Sequence, residues 1–186
     1  MEEQNQYNRD GYFLFKKVLK RKKILDLSNL CHSSSDIFNN TNLQFVKCFT
    51  DRKIIECVKS LLGSNIIFFG DASIRYDDKV TSKMSRHFHI DARGDNLNFN
   101  NDYGLLRLGI YFNDYSNYGG GLKVRKGSHK TFCLERFGVL EGLKHFLKYK
   151  KLNDFRFLKS INIKSQGGDI LGWNGRTHHS GYAVRL

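Results

Sequence analysis

Proline is absent from the 186 residues, tryptophan occurs once and methionine twice. Beside the many Asn, Lys, Ile and Phe, the missing proline reads as the compositional bias of an AT-rich coding sequence, and no function follows from it. Cysteine is sparse. Cys31, Cys48, Cys57 and Cys133 show no Cys-x-x-Cys spacing and no apolar signal segment precedes them, which argues against a disulfide framework or a zinc site. They read as reduced thiols, and the expected compartment is the cytoplasm. Apolar runs are short as well. The run 66–69 is typical, and a membrane-crossing helix needs roughly 20 consecutive apolar residues. A soluble or at most peripheral protein is expected, with no membrane span.

Acidic residues are outnumbered: 18 Asp and Glu face 31 Lys and Arg, a formal net charge of +13. Such an excess favours an anionic partner, whether nucleic acid, a membrane surface or an acidic metabolite, without choosing among them. The length suits one domain, large enough to bury about two thirds of the surface of the unfolded chain.

Residues 1–10 are polar and expected to fray. Residues 11–15 read as a short strand leading into a basic helix over 16–27. A Ser/Asn-rich loop occupies 33–42. Asp51 then looks like the N-cap of a helix carrying Ile54, Ile55, Val58, Leu61 and Leu62, which should stop at Gly63. From Asn65 the pattern changes to short apolar runs at 66–69, 105–112, 121–124, 161–163 and 170–173, separated by turn residues. That spacing predicts an all-β sandwich or barrel. One helical interruption is expected over 134–150, where Leu140, Leu143, Phe146 and Leu147 can share a face. No repeat or second domain is visible. The expected layout is a mainly helical part over 1–64 and a β core over 65–186.

The most informative stretch runs Arg86, His87, Phe88, His89, Ile90, Asp91. On an extended backbone, residues two apart point the same way, so His89 and Asp91 present an imidazole and a carboxylate together. A third nitrogen donor must come from elsewhere, and the late histidines His178 and His179 end the strand that follows Gly167, Gly168 and Asp169. Two histidines and one carboxylate form the facial triad that suits iron(II) and leaves positions open for a co-substrate and oxygen. Alone, the His-x-Asp spacing is weak, since a polar strand on which His89 pairs with Asp91 would read the same. The order of its surroundings carries the inference.

Those surroundings are Asp10 to Phe15 with Val18 and Leu19; Asp51 through Gly63 to the run 66–69; His89 and Asp91; 107–114; the glycine-rich 119–124; Lys126, Gly127, Ser128 and His129; and 168–181. In this order they resemble the phytanoyl-CoA dioxygenase-like family of Fe(II)/2-oxoglutarate oxygenases over almost the whole chain. The resemblance implies a double-stranded β-helix, a cupin-like jelly roll, preceded by helices. It implies a dioxygenase in which His89, Asp91 and His179 hold Fe(II) and 2-oxoglutarate is the co-substrate. With O2, such an enzyme hydroxylates a small organic substrate and releases succinate and CO2.

The family's distal histidine stands ten residues after the aspartate of the Gly-Asp turn, which from Asp169 gives His179. A variant of the motif would fit 178–181 and keeps His178 open, although neighbours on a strand face opposite sides. The family's arginine that grips the 2-oxoglutarate carboxylate by paired N–H donors corresponds to Arg185. It lies six residues past His179, a closer spacing than in the family, and Arg176 is the alternative cation. Lys126 stands where the family has proline. His129 is expected to hydrogen-bond its own turn.

The segment 144–164 holds seven Lys and Arg against one Asp, with Phe146, Tyr149, Phe155 and Phe157 between them. This composition suits a phosphate-tracking surface, and a solvated helix face accounts for it as well. An anionic small-molecule substrate is the favoured partner. The competing readings are an inactive jelly-roll module for an anionic ligand and a basic nucleic-acid-binding protein.

Overall fold

Among the described residues, six short strands set the architecture. The computed structural model describes residues 2–33, 50–67, 88–91, 105–114, 121–130, 140, 143–144, 147 and 158–182. In the first sheet β5 (Ile170–Asn174) lies between β1 (Tyr12–Phe15) and β2 (Leu106–Ile110), antiparallel to both. In the second, β3 (Gly121–Arg125) lies between β4 (Ser160–Ile163) and β6 (His179–Tyr182), again antiparallel.

Side chains two apart on a strand share a face, and membership of two apolar clusters follows that period. Tyr12, Leu122, Val124, Ile163 and Leu171 form one buried cluster, with Leu14, Tyr111, Ile161 and Trp173 packed on it. Because it draws on both sheets, this cluster is the layer between them. The other face of the first sheet supplies Phe15, Leu108, Ile110 and Ile170 to a second cluster with Leu19, Leu27 and Ile54. The latter come from the segment after β1, from α2 (Arg21–Ser33) and from α3 (Arg52–Leu62). The result is a mixed α/β arrangement of helices, sheet and sheet. Among the described residues the strands form two facing sheets and do not close into the jelly roll that the resemblance implies. The expected strand at 66–69 accounts for part of this: Ile66 and Ile67 lie outside any strand, and 68–69 lie outside the described residues.

The N-terminus departs from expectation. Residues Glu2–Asp10 form a helix, α1, in place of a frayed tail. Tyr7 is buried edge-on against Phe13, with ring centroids 6.0 Å apart, and its hydroxyl accepts a hydrogen bond of 3.2 Å from the Asn174 amide. Asp10 is buried too. Its carboxylate takes both Arg9 donors, at 3.0 and 2.9 Å, and pairs with Lys126 at 3.3 Å. Two tertiary anchors therefore order a helix whose polar sequence gives little sign of them. Lys126, the residue in the family's proline position, is one of those anchors.

The basic helix also starts later than expected, at Arg21 and not at 16. Lys17 has a left-handed backbone, φ 53°, because its N–H donates to Asp169 Oδ1 at 2.8 Å while Gln166 N–H donates to Oδ2 at 2.8 Å. The chain must turn to reach that buried carboxylate. Gly168 completes the junction: at φ +92° a Cβ would stand 2.5 Å from the Leu19 carbonyl oxygen. The Gly-Asp turn is thus a clamp between β5 and the segment after β1. α3 begins and ends as expected, with Asp51 accepting from Lys53 N–H at 3.0 Å and Gly63 at φ 87° closing it. Leu140, Leu143 and Leu147 are exposed, so their stripe does not pack on the described core.

Arg9, and after it Lys126, holds the Asp10 carboxyl below its ordinary value, against the opposing effect of burial. A depressed folded-state pKa stabilises the fold above the unfolded carboxylate value, and this contribution is lost as pH falls through the folded value. Replacing Asp10 with Asn should therefore flatten the acid limb of the stability curve below about pH 4, read by urea unfolding at stepped pH. An unchanged acid limb would show that the docking of α1 does not depend on this pair.

Candidate metal centre

His89 and Asp91 meet His179 because two backbone segments lock together. His89 N–H donates to the His179 carbonyl at 2.8 Å, His179 N–H donates to the His89 carbonyl at 2.9 Å, and Asp91 N–H donates to the Gly175 carbonyl at 3.1 Å. The segment 88–91 is thereby laid along the start of β6. Residues His89, Asp91 and His179 each offer one donor atom, and these atoms lie within 4.8 Å of one another. His89 Nε2 is 3.7 Å from Asp91 Oδ1, and His179 Nε2 is 3.5 Å from Oδ2. The imidazole centroids are 4.4 Å apart.

The choice between the late histidines follows from strand parity. His179 pairs with Val124, whose side chain belongs to the layer between the sheets, and its own ring is only 4 % exposed. His178 takes the other side. Its ring lies 5.0 Å from that of Phe88, and its N–H donates to Ser128 Oγ at 2.8 Å. Burial, with Arg125 nearby, lowers the His178 pKa to about 4. Ser128 of the Gly-Ser-His turn thus steadies the strand that delivers His179. His129 does not bond its own turn: its Nε2 approaches the Asn8 carbonyl of α1 at 3.3 Å.

The environment of His179 prepares one nitrogen as a donor. Nδ1–H donates to the Thr177 carbonyl at 2.8 Å, which fixes the tautomer and leaves the Nε2 lone pair toward Asp91. Burial is the largest influence on this imidazole and lowers its pKa, outweighing the opposing pull of the Thr177 carbonyl and Asp91. It therefore stays neutral at neutral pH, as a metal ligand must. His89 is the open member of the set, its side chain 53 % exposed. Two imidazoles and one carboxylate within this span could hold one divalent ion, and the donor set suits iron(II).

Two neighbours of Asp91 are absent from the sequence reading. The indole N–H of Trp173 donates to Asp91 Oδ2 at 2.9 Å, and Arg107 Nε lies 3.8 Å from the same oxygen. Arg107 and Trp173 stand opposite each other on β2 and β5. Their signal was parity: Trp173 shares a face with Leu171, and Arg107 with Gly109 and Tyr111. Arg176 acts electrostatically on Tyr7 and His129, while among the described residues Arg107 borders Asp91. Arg185 lies outside the described residues, as does most of the segment 144–164. Among the described residues no helix is long and apolar enough to cross a membrane.

No family model and no curated protein matches the chain. Solved structures do. Similar to it are the non-haem α-ketoglutarate-dependent carbocyclase SnoK and epimerase SnoN of nogalamycin biosynthesis. SnoK has TM-score 0.68 and 16% identity over 98% of this chain and 77% of its own. SnoN has TM-score 0.67 and 15% identity over 100% of this chain and 77% of its own. HygX from Streptomyces hygroscopicus, solved with nickel and 2-oxoglutarate bound, has TM-score 0.64 and 13% identity over 100% of this chain and 81% of its own.

In the metal-free protein, the contrast in burial predicts unequal costs. His179→Ala should lose about 3 kcal/mol through a cavity and a severed hydrogen bond, and His89→Ala about 0.5 kcal/mol as an exposed substitution. Chemical denaturation of both variants checks this, and equal losses would contradict the described burial. The chain shares its fold with these non-haem α-ketoglutarate-dependent enzymes.

Proposed function

We propose that the protein is an Fe(II)/2-oxoglutarate-dependent oxygenase, a dioxygenase hydroxylating a small organic substrate. The observation that carries this reading is the convergence of His89, Asp91 and His179 at the layer between the two sheets, in a fold shared with α-ketoglutarate-dependent enzymes. The two sheets are the core of a double-stranded β-helix, in one domain over 1–186 with the mainly helical part at 1–64. The expected location is the cytoplasm.

His89, Asp91 and His179 are the iron ligands. Iron(II) with bound 2-oxoglutarate supplies the oxidising power drawn from O2, at the cost of succinate and CO2 release. The chain's own residues do the rest. The Thr177 carbonyl holds His179 as the tautomer with a free Nε2. The cluster around Leu171, Val124 and Tyr12 walls the site against water on one side, which strengthens charge interactions within it. Arg107 places a guanidinium beside Asp91, so the centre carries more positive charge than the carboxylate offsets and favours a dianionic co-substrate. Arg185 would hold the far carboxylate of 2-oxoglutarate, as the family resemblance implies. The net charge of +13 favours an anionic prime substrate, drawn in by long-range steering.

The test is anaerobic addition of Fe(II) and then 2-oxoglutarate, watching for the weak visible charge-transfer band of the chelate. Wild type should show the band and His179→Ala should lack it. No band in wild type, under conditions where a known oxygenase gives one, would leave the fold as a non-catalytic binding module.

A further inference from the structure

We infer that Trp173 is a positioning residue that makes Asp91 a one-oxygen ligand, occupying Oδ2 and leaving Oδ1 for the metal; this rests on the metal-centre reading above. A carboxylate can take a divalent ion with one oxygen or both. With two histidines already bound, a six-coordinate ion keeps three positions open only if the carboxylate uses one. What decides is the rotation of the Asp91 carboxylate about its own bond, since its backbone is held by the N–H bond to the Gly175 carbonyl.

Two observations distinguish the oxygens. The Trp173 indole N–H donates to Oδ2 at 2.9 Å, within the range of a good hydrogen bond to a charged acceptor. Arg107 Nε stands 3.8 Å from the same oxygen, too far for a hydrogen bond but close enough to place positive charge there. The imidazoles do not separate the two oxygens, since Oδ1 lies 3.7 Å from His89 Nε2 and Oδ2 lies 3.5 Å from His179 Nε2. What does separate them is the hydrogen bond and the guanidinium, both on Oδ2, so Oδ1 is the better donor toward a cation.

The direction of the indole N–H is itself preset. Trp173 sits on the central strand of its sheet, packed against the buried cluster between the sheets, with its ring centroid 5.2 Å from that of His179. Buried or half-buried indole N–H groups seek a partner, and packing aims this one at a single oxygen. A phenyl ring at 173 would keep most of the packing and lose the donor.

Because Trp173 is the sole tryptophan of the chain, the 15N-labelled protein gives one indole N–H cross-peak. The experiment titrates the full chain with Zn(II), a diamagnetic probe, and measures its affinity by competition with a chromophoric chelator. We expect the cross-peak to stay downfield and slow to exchange with zinc bound. Trp173→Phe should bind zinc about 10-fold more weakly, with the thermal midpoint of its metal-free form near that of wild type. A purely structural role would lower the midpoint and spare the affinity. Movement of the peak to a solvated indole position on loading, or unchanged zinc affinity in Trp173→Phe, overturns the inference while leaving the metal centre standing. If wild type binds no zinc at these residues, the metal-centre reading and this inference fall together. Should the Phe variant not fold, benzothienylalanine at 173, with sulfur in place of the N–H, removes the donor alone and gives the same readout.

Discussion

The reciprocal backbone hydrogen bonds between His89 and His179 hold together two parts of the chain that nothing local would join. A carboxylate and two imidazoles can share one ion only if their backbones are fixed to within about half an ångström, and a two-bond bridge beside β6 does this. Its stability is borrowed from β3, which pairs with β6 through Val124 and His179, and from the apolar layer that Val124 helps fill. Packing between the sheets is thus what orders the donor atoms, and a change that loosens β3 against β6 would reach the site without touching a ligand.

Three acids illustrate how charge is distributed around that frame. Asp10 is taken up by Arg9 and Lys126, where it docks α1. Asp169 is satisfied by two backbone N–H groups and sets the turn that leads into α2. Asp91 differs because its neighbours include two histidines as well as Trp173 and Arg107. Carboxylates of the first two kinds spend their charge on structure. The third turns each of its oxygens toward one imidazole nitrogen, as a candidate metal site requires.

Much of the donor set was legible in the sequence. His89 and Asp91 share parity on an extended segment, and the ten-residue count that the family resemblance implies leads from Asp169 to His179, which strand parity separates from His178. The caps Asp51 and Gly63 announced α3 because capping is local chemistry. α1 was hidden since its order comes from Phe13 just past its end and from Asn174 and Lys126, both distant in sequence. The start of α2 was misplaced for a similar reason: the Lys17 turn exists only because Asp169 reaches its N–H. Arg107 and Trp173 meet Asp91 across strands, and a single sequence carries no signal for such pairing beyond parity.

The account stands on one ion bound by His89, Asp91 and His179. Crystals grown anaerobically with Fe(II), or soaked in Ni(II), and measured at the metal's absorption edge would test it most directly. The predicted result is one anomalous peak at about 2.0–2.2 Å from His89, from His179 and from a single oxygen of Asp91. A metal-loaded crystal with no peak there, or with its strong peak on other side chains, would contradict the account.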